Sequence, residues 1–348
     1  MNTGNTEKLL NQILSILNTR QREVIDRRYG LKDGKAITLA ELGTSFGITR
    51  ERVRQIEAGA LKELREFIKS GILNDFVKTI NEHVKNLGGA RREALLLADL
   101  QLLLNENPSP IFDNQVRFLL ELNGYPKYSV EDKNFYSYWY QEDAEKKKIL
   151  SFISKLVKYM KAKKEKVLSH GSMDKVFAEA IKPHNLKDLV ALNFISLSKD
   201  FHINNFGEFG LSDWAETNPR TIRDWAYAVL KKEKRPLHFV EIAGAIGKYK
   251  NSDKTINPQT VHNELIKDNK FVLVGRGIYG LQEHGYMPGT AKEVMMRILK
   301  EQGPLKPKDL MDLVLKERVF KKNTIFINLQ NKKHFTRLDN GKYQVNLA

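Results

Sequence analysis

Shifted by 64 residues, the last third of this chain lies over itself. TVHNELIKDNKFVLVGRGIYGL, from Thr260, and TIFINLQNKKHFTRLDNGKYQV, from Thr324, agree in kind at seven positions without a gap. Thr260 pairs with Thr324, Val261 with Ile325, Leu265 with Leu329, Phe271 with Phe335, Gly277 with Gly341, Tyr279 with Tyr343 and Leu281 with Val345. An internal repeat restricts the fold strongly, because one supersecondary unit must serve twice. Each copy reads as a helix and a hairpin. Asn257-Pro258 is an N-cap with proline at the first helical position, and the helix runs through Leu265 and Ile266. Phe271 to Val274 has strand composition, Gly275-Arg276-Gly277 turns, and Ile278 to Leu281 returns. Leu237, Val240, Ile242 and Ile246 predict a further short helix upstream. Helices followed by a β-hairpin make a winged helix.

The hairpin follows a spacing: an aromatic residue, glycine six later, an aromatic eight later and an apolar residue ten later. Phe201, Gly207, Phe209 and Leu211 repeat it, and Tyr128, Asn134, Tyr136 and Tyr138 give a weaker version in which asparagine takes the left-handed turn position. The expected fold is therefore mainly α with small β-hairpin wings, an N-terminal helix-turn-helix followed by tandem winged-helix domains. The expected boundaries are 1–70 for the helix-turn-helix and 71–140, 141–216, 217–285 and 286–348 for winged helices. Glu145 to Lys166 reads as a Lys-rich amphipathic helix with Leu150, Ile153, Leu156, Val157 and Met160 inward, packed under its wing.

Residues 17–66 carry sharper punctuation. A helix starts near Asn18 and Thr19 with Val24 and Ile25 on its apolar side, and Tyr29-Gly30-Leu31 with Lys32-Asp33-Gly34 ends it. Thr38-Leu39-Ala40-Glu41 fits a capping box, Phe46-Gly47-Ile48 makes a tight turn, and Thr49 caps a second helix. In that helix Val53, Ile56, Ala60 and Leu64 recur at helical spacing and face the core. Arg50, Glu51, Arg52, Arg54 and Gln55 then point away from it. Arginine can bond guanine bidentately, glutamine adenine, and glutamate accepts from cytosine N4. The N-terminal end of the second helix is the part of a helix-turn-helix that enters the major groove. Thr38 and Thr49, at the two helix starts, complete the predicted DNA-binding set.

LNTRQREVIDRRYGL followed by TLAELGTSFGITRERVRQIEAGALKELRE resembles region 4 of the sigma-70 family over about 50 residues. The resemblance implies that Arg50, Glu51 and Gln55 contact bases of a promoter −35 element and that Arg52 and Arg54 serve phosphates or neighbouring bases. It also implies docking on the β flap of the RNA polymerase core. Only 16 residues precede the motif, too few for the upstream sigma regions that melt a −10 element, so promoter opening in the usual sigma manner is not expected. RPLHFVEIAGAIG, continuing through NPQTVHNELIKDNKFVLVGRGIYGL, resembles the HARE helix-turn-helix family, which includes the N-terminal domain of the polymerase delta subunit. There Gln259, His262 and Asn263 at the recognition-helix position and Arg276 at the wing tip are candidate DNA contacts. In the last unit Lys321, Lys322, Lys332 and Lys333 are candidate phosphate partners.

Charge agrees with a polyanionic partner. Lys+Arg 58 against Asp+Glu 42 leaves +16. From Ala226 to Ala348 there are 23 basic and 12 acidic residues, so +11 of the excess lies there. A field of that sign attracts nucleic acid. With no cysteine, disulfides, Cys-ligated zinc and thiol catalysis are excluded, which fits a reducing compartment. No apolar run reaches the 18 residues of a membrane span, and MNTGNTEKLL has no signal-peptide pattern. Neither H-E-x-x-H, a phosphate-binding G-x-x-x-x-G-K-[ST] loop nor a G-x-S-x-G elbow occurs. The chain is therefore expected to be a cytoplasmic, nucleoid-associated, non-enzymatic transcription protein. Its expected partners are double-stranded DNA and the RNA polymerase core, without cofactor, metal, membrane or small-molecule substrate. A free-standing DNA-binding repressor or nucleoid-type protein and a winged-helix interaction scaffold are the alternatives.

Overall fold

The computed structural model describes residues 5–170, 181, 186–205, 207–250, 255–317, 320 and 322–346. Lys321 lies outside the described residues. The chain divides into two compact units, residues 1–202 with 209–212, and 203–208 with 213–348. The described residues are mainly helical with small antiparallel hairpins.

The first unit begins with α1 (Asn5–Leu14), α2 (Thr19–Tyr29), α3 (Leu39–Phe46) and α4 (Arg50–Ile68). Local chemistry sets these boundaries. Asn18 and Gln21 form a reciprocal capping box at α2, and Gly30 ends it in the left-handed conformation with φ +63°. Between α2, α3 and α4 lies a small core of Val24, Leu42 and Val53, joined by Ile37, Phe46, Ile48 and a half-buried Ile56. Then come α5 (Asn74–Asn86), β1 (Ala90–Arg92), α6 (Glu93–Leu104), α7 (Pro110–Asn123), β2 (Lys127–Ser129) and β3 (Tyr138–Tyr140), with the sheet ordered β1-β3-β2. The unit closes with α8 (Asp143–Ala162), α9 (Lys164–His170), α10 (Asp188–Leu197), the strand β4 (Phe201–Ile203) up to His202, and β5 (Phe209–Leu211).

Helix α7 ties the first four helices to the rest of the unit. Phe112, Val116, Phe118, Leu119 and Leu122 share one core with Leu10, Ile13 and Leu14 of α1, Ile25 of α2, and Ala60 and Leu64 of α4. The Phe118 and Tyr29 rings meet at 4.8 Å. Asn114 donates to the carbonyls of Gly30 and Gly34 at 3.2 Å, and Gln115 donates to that of Leu31 at 3.0 Å. Burial, and then the Glu57 carboxylate it bonds, pushes the Tyr29 phenol well above its ordinary value. A raised pKa means the folded state holds this proton more tightly. That contribution is complete below the unfolded value of about 10 and is lost as pH rises beyond it. Tyr29→Phe should therefore flatten the alkaline fall in stability above about pH 10, read from urea midpoints. An equally steep fall in the variant would place the titration elsewhere.

The second unit contains α11 (Ile222–Glu233), β6 (Leu237–His238), α12 (Phe239–Tyr249), α13 (Pro258–Ile266), β7 (Phe271–Gly275) and β8 (Ile278–Leu281), with its sheet ordered β6-β8-β7. It continues with α14 (Ala291–Gln302), α15 (Pro307–Glu317), α16 (Lys322–Leu329), β9 (Phe335–Arg337) and β10 (Tyr343–Val345). Each set has its own core, one around Val261 and Leu265 and the other around Ile325 and Leu329. Blocks 74–140, 222–281 and 291–345 thus share one element order: helix, strand, helix, helix, hairpin. In the last block a single bridge, Leu305 to Tyr343, stands in for the first strand.

The repeat has a physical explanation. Phe271 pairs with Leu281 and Leu273 with Tyr279; 64 residues on, Phe335 pairs with Val345 and Arg337 with Tyr343. Gly277 and Gly341 take φ +71° and +76° at the turns, and a Cβ on Gly277 would stand 2.6 Å from the His238 ring. Four local expectations are corrected. Asn134 has no left-handed backbone; instead Asp132 accepts from the Asn134 and Phe135 amides at 2.7 Å, and Tyr128 pairs with Trp139 rather than Tyr138. Gly275 belongs to β7, so the turn is Arg276-Gly277 alone. Leu237 lies in β6, and Val240 is exposed. On α8, Leu150 is 40% exposed while Ile149 and Phe152 are buried, because the packed stripe falls one residue earlier.

Candidate nucleic-acid interface

The α3–turn–α4 element is locked at both helix starts. The Thr38 hydroxyl accepts from the Glu41 amide at 3.3 Å, and the Glu41 carboxylate accepts from the Thr38 amide and hydroxyl at 2.9 and 2.7 Å. These bonds hold the Glu41 carboxyl below its usual range. Thr49 accepts from the Arg52 amide at 3.2 Å. A Cβ on Gly43 would lie 2.8 Å from the Ile48 carbonyl oxygen, so a larger residue there would push α3 away from the turn. The Arg20 and Arg27 guanidiniums sit over the Phe46 ring at 3.7 and 5.2 Å. They clasp the end of α3 to α2. Sequence reasoning missed this pair; its signal was two arginines seven apart, two helical turns on one face.

Arg50, Glu51, Arg52, Arg54 and Gln55 are all exposed on the first turns of α4. They are organised before any ligand arrives. Arg54 donates to both Glu51 oxygens, at 2.7 and 2.9 Å, and Arg52 donates to Gln55 Oε1 at 3.1 Å. The Arg54 bond holds the Glu51 carboxyl below its ordinary range. Three arginines and one glutamate leave this surface at +2. It sits at the positive end of the helix dipole, so an approaching phosphate meets favourable charge from side chains and backbone alike. Arg50 to Gln55 spans about 7.5 Å of helix axis, and base pairs step by about 3.4 Å. The set can therefore reach across roughly three base pairs.

The second candidate set is less uniform. Gln259 and Asn263 are exposed on α13 and bonded to each other at 3.2 Å, and Arg276 is exposed at the hairpin tip. His262 is half-buried: its Nδ1 is 3.0 Å from the Tyr279 hydroxyl, and its ring packs on Phe239 at 4.8 Å. It serves the packing of its own block as well as the outer face. Lys322, Lys332 and Lys333 are exposed in the last block. Among the described residues, no group of three or more His, Asp or Glu side chains could hold a metal ion. Nor is any helix there long and apolar enough to cross a membrane.

Residues 13–66 match the family model for Sigma-70, region 4. The RNA polymerase sigma factor SigA1 of Synechococcus elongatus is 48% identical over 69 residues, 20% of this chain and 17% of that protein. The sigma factor SigA of Clostridium acetobutylicum is 50% identical over 72 residues, 20% of this chain and 19% of that protein. SigA of Microcystis aeruginosa is 46% identical over 69 residues, again 20% and 17%. The chain thus covers less than a fifth of the length of these curated relatives. Residues 13–66 are a Sigma-70 region 4 domain.

Proposed function

We propose that the chain is a sequence-specific DNA-binding transcription protein that associates with RNA polymerase, reading a −35-type element with α4. The exposed Arg50, Glu51, Arg52, Arg54 and Gln55, pre-organised on a capped helix within a region 4 domain, carry this reading. The named relatives are RNA polymerase sigma factors, which supports contact with the polymerase core; the β flap is the surface that the region 4 resemblance implies for it. We read 71–140, 141–216, 217–285 and 286–348 as winged-helix domains, that at 217–285 of the HARE type. The repeated element order supports this for 71–140, 217–285 and 286–348, and the left-handed turn glycines Gly207, Gly277 and Gly341 support it for the last three. Gln259, Asn263 and Arg276 then offer a second polar surface to DNA. The role is non-enzymatic and needs no cofactor, and the protein works in the cytoplasm on the nucleoid.

Selection from a random-duplex library, with the full chain alone and with bacterial core RNA polymerase, tests this. The expected result is enrichment of a short shared element that strengthens when core is present. Enrichment unaffected by core would make the protein a free-standing DNA-binding regulator. Failure to enrich any sequence would remove base reading altogether.

A further inference from the structure

The third helix of each helix–strand–helix–helix–hairpin block turns one face to its own core and one outward. On α13 the outward row, spaced i, i+3, i+4, i+7, is Gln259, His262, Asn263 and Ile266. The 64-residue offset maps it onto Asn323, Phe326, Ile327 and Gln330 of α16 and its end. Ile325 and Leu329 already supply the inward face of α16 and are buried. Phe326 and Ile327 are nonetheless 51% and 68% exposed. Where one copy of the repeat presents an imidazole and an amide, the other presents two large apolar side chains side by side.

Such a row suits protein better than DNA. Asparagine, glutamine and histidine can bond base edges, whereas phenylalanine and isoleucine find only thymine methyl groups in the major groove. The chain holds its own precedent. Helix α7, third in the block 74–140, is buried on both faces and lies against α1, α2 and α4. The segment that carries α16 and its hairpin is one-sided in charge. From Lys322 to Asn346 there are five basic residues (Lys322, Lys332, Lys333, Arg337 and Lys342) against one acidic, Asp339. An apolar pair beside this cationic run complements a surface of opposite sign.

We propose that α16 is a docking helix for another protein, and that its occupant is an acidic amphipathic helix. That helix sets an apolar ridge on Phe326 and Ile327, and its flanking carboxylates face Lys322, Lys332 and Lys333. The two copies of the repeat thus divide labour, α13 keeping polar side chains, His262 and Asn263, at the two central positions of the row and α16 apolar ones. This inference does not depend on base reading by α4.

The test uses the full chain and a fluorescein-labelled 16-residue helical peptide with leucines at i, i+3, i+4 and i+7 and glutamates on both flanks. A lysine-flanked version and a 20-base-pair duplex serve as competing probes. The acidic peptide is expected to bind and the lysine version not to. Phe326→Ser with Ile327→Ser should weaken peptide binding about tenfold or more, as loss of an apolar anchor does, and leave duplex affinity unchanged. Lys332→Ala with Lys333→Ala, which leaves the apolar pair in place, should weaken it roughly two- to fivefold and reduce its salt dependence. Leu102→Ser with Leu103→Ser, an exposed apolar pair in the other unit, should change nothing. Unchanged melting by circular dichroism confirms that each variant is folded. Absence of peptide binding, or equal binding by the Phe326/Ile327 variant, overturns the proposal. Loss of duplex affinity in that variant would assign α16 to nucleic acid instead.

Discussion

Phe118→Ala should destabilise the N-terminal body by about 3–5 kcal/mol, the range for removing a buried aromatic ring. Its ring is 2% exposed and stands against Tyr29, inside a core drawn from α1, α2, α4 and α7. Small domains are stable by about 5–15 kcal/mol in total, so this one ring decides a large share. The loss should reach the region 4 domain although Phe118 lies outside residues 13–66, because its helices and α7 close the same core. Trp139 is buried in that core; with Trp214 and Trp225 replaced by phenylalanine, its fluorescence reports the transition in urea. Leu103→Ala, on an exposed position of α6, is the matched control and should shift the midpoint very little. A Phe118 variant as stable as the parent would mean that α7 does not brace these helices. The same packing predicts that a fragment ending at residue 70 folds poorly, since it leaves Leu10, Ile13, Leu14 and Leu64 without cover.

Elements whose determinants are local were legible in the sequence. Caps at Asn18, Thr38, Thr49 and Asn257 and the left-handed Gly30, Gly47, Gly277 and Gly341 each depend on a few neighbouring atoms, and each lies where spacing placed it. The hairpin grammar was legible because ten residues separate cross-strand partners, as Phe271 and Leu281 show. Non-local facts were not. Nothing local to α7 names its partners at Gly30, Leu31 and Gly34, 80 to 84 residues upstream. The Leu150 expectation failed because only neighbouring elements choose which stripe of α8 is buried. In the candidate site, the outward row of α4 could be read from residue types. The pairing of Glu51 with Arg54 and of Arg52 with Gln55 needed side-chain positions, as did the engagement of His262 by Tyr279.

Arg50→Ala and Glu51→Ala should both blur base discrimination while moving affinity in opposite directions. Arg50 is exposed at the first position of α4, and its loss should cost about 1–3 kcal/mol on the preferred duplex, the range for one bidentate base contact. On random duplexes the penalty is smaller, because one phosphate-facing charge is all that is lost there. Glu51 differs because its carboxylate holds the Arg54 guanidinium in a two-bond fork. Removing it releases one more cation toward the phosphates and takes away the acceptor for cytosine N4. Glu51→Ala should therefore bind random duplexes more tightly, with a log–log salt slope steeper by about 0.9, and gain less on the preferred duplex. Arg54→Ala leaves the carboxylate facing the DNA without its counter-charge and should weaken every sequence. Fluorescence anisotropy of full-length variants on preferred and random duplexes, at salt concentrations from 50 to 200 mM (about the range over which phosphate contacts dominate the change), separates these outcomes. Equal losses for Arg50→Ala on both duplexes, with Glu51→Ala indistinguishable from the parent, would reduce α4 to a phosphate anchor and move base reading to another helix.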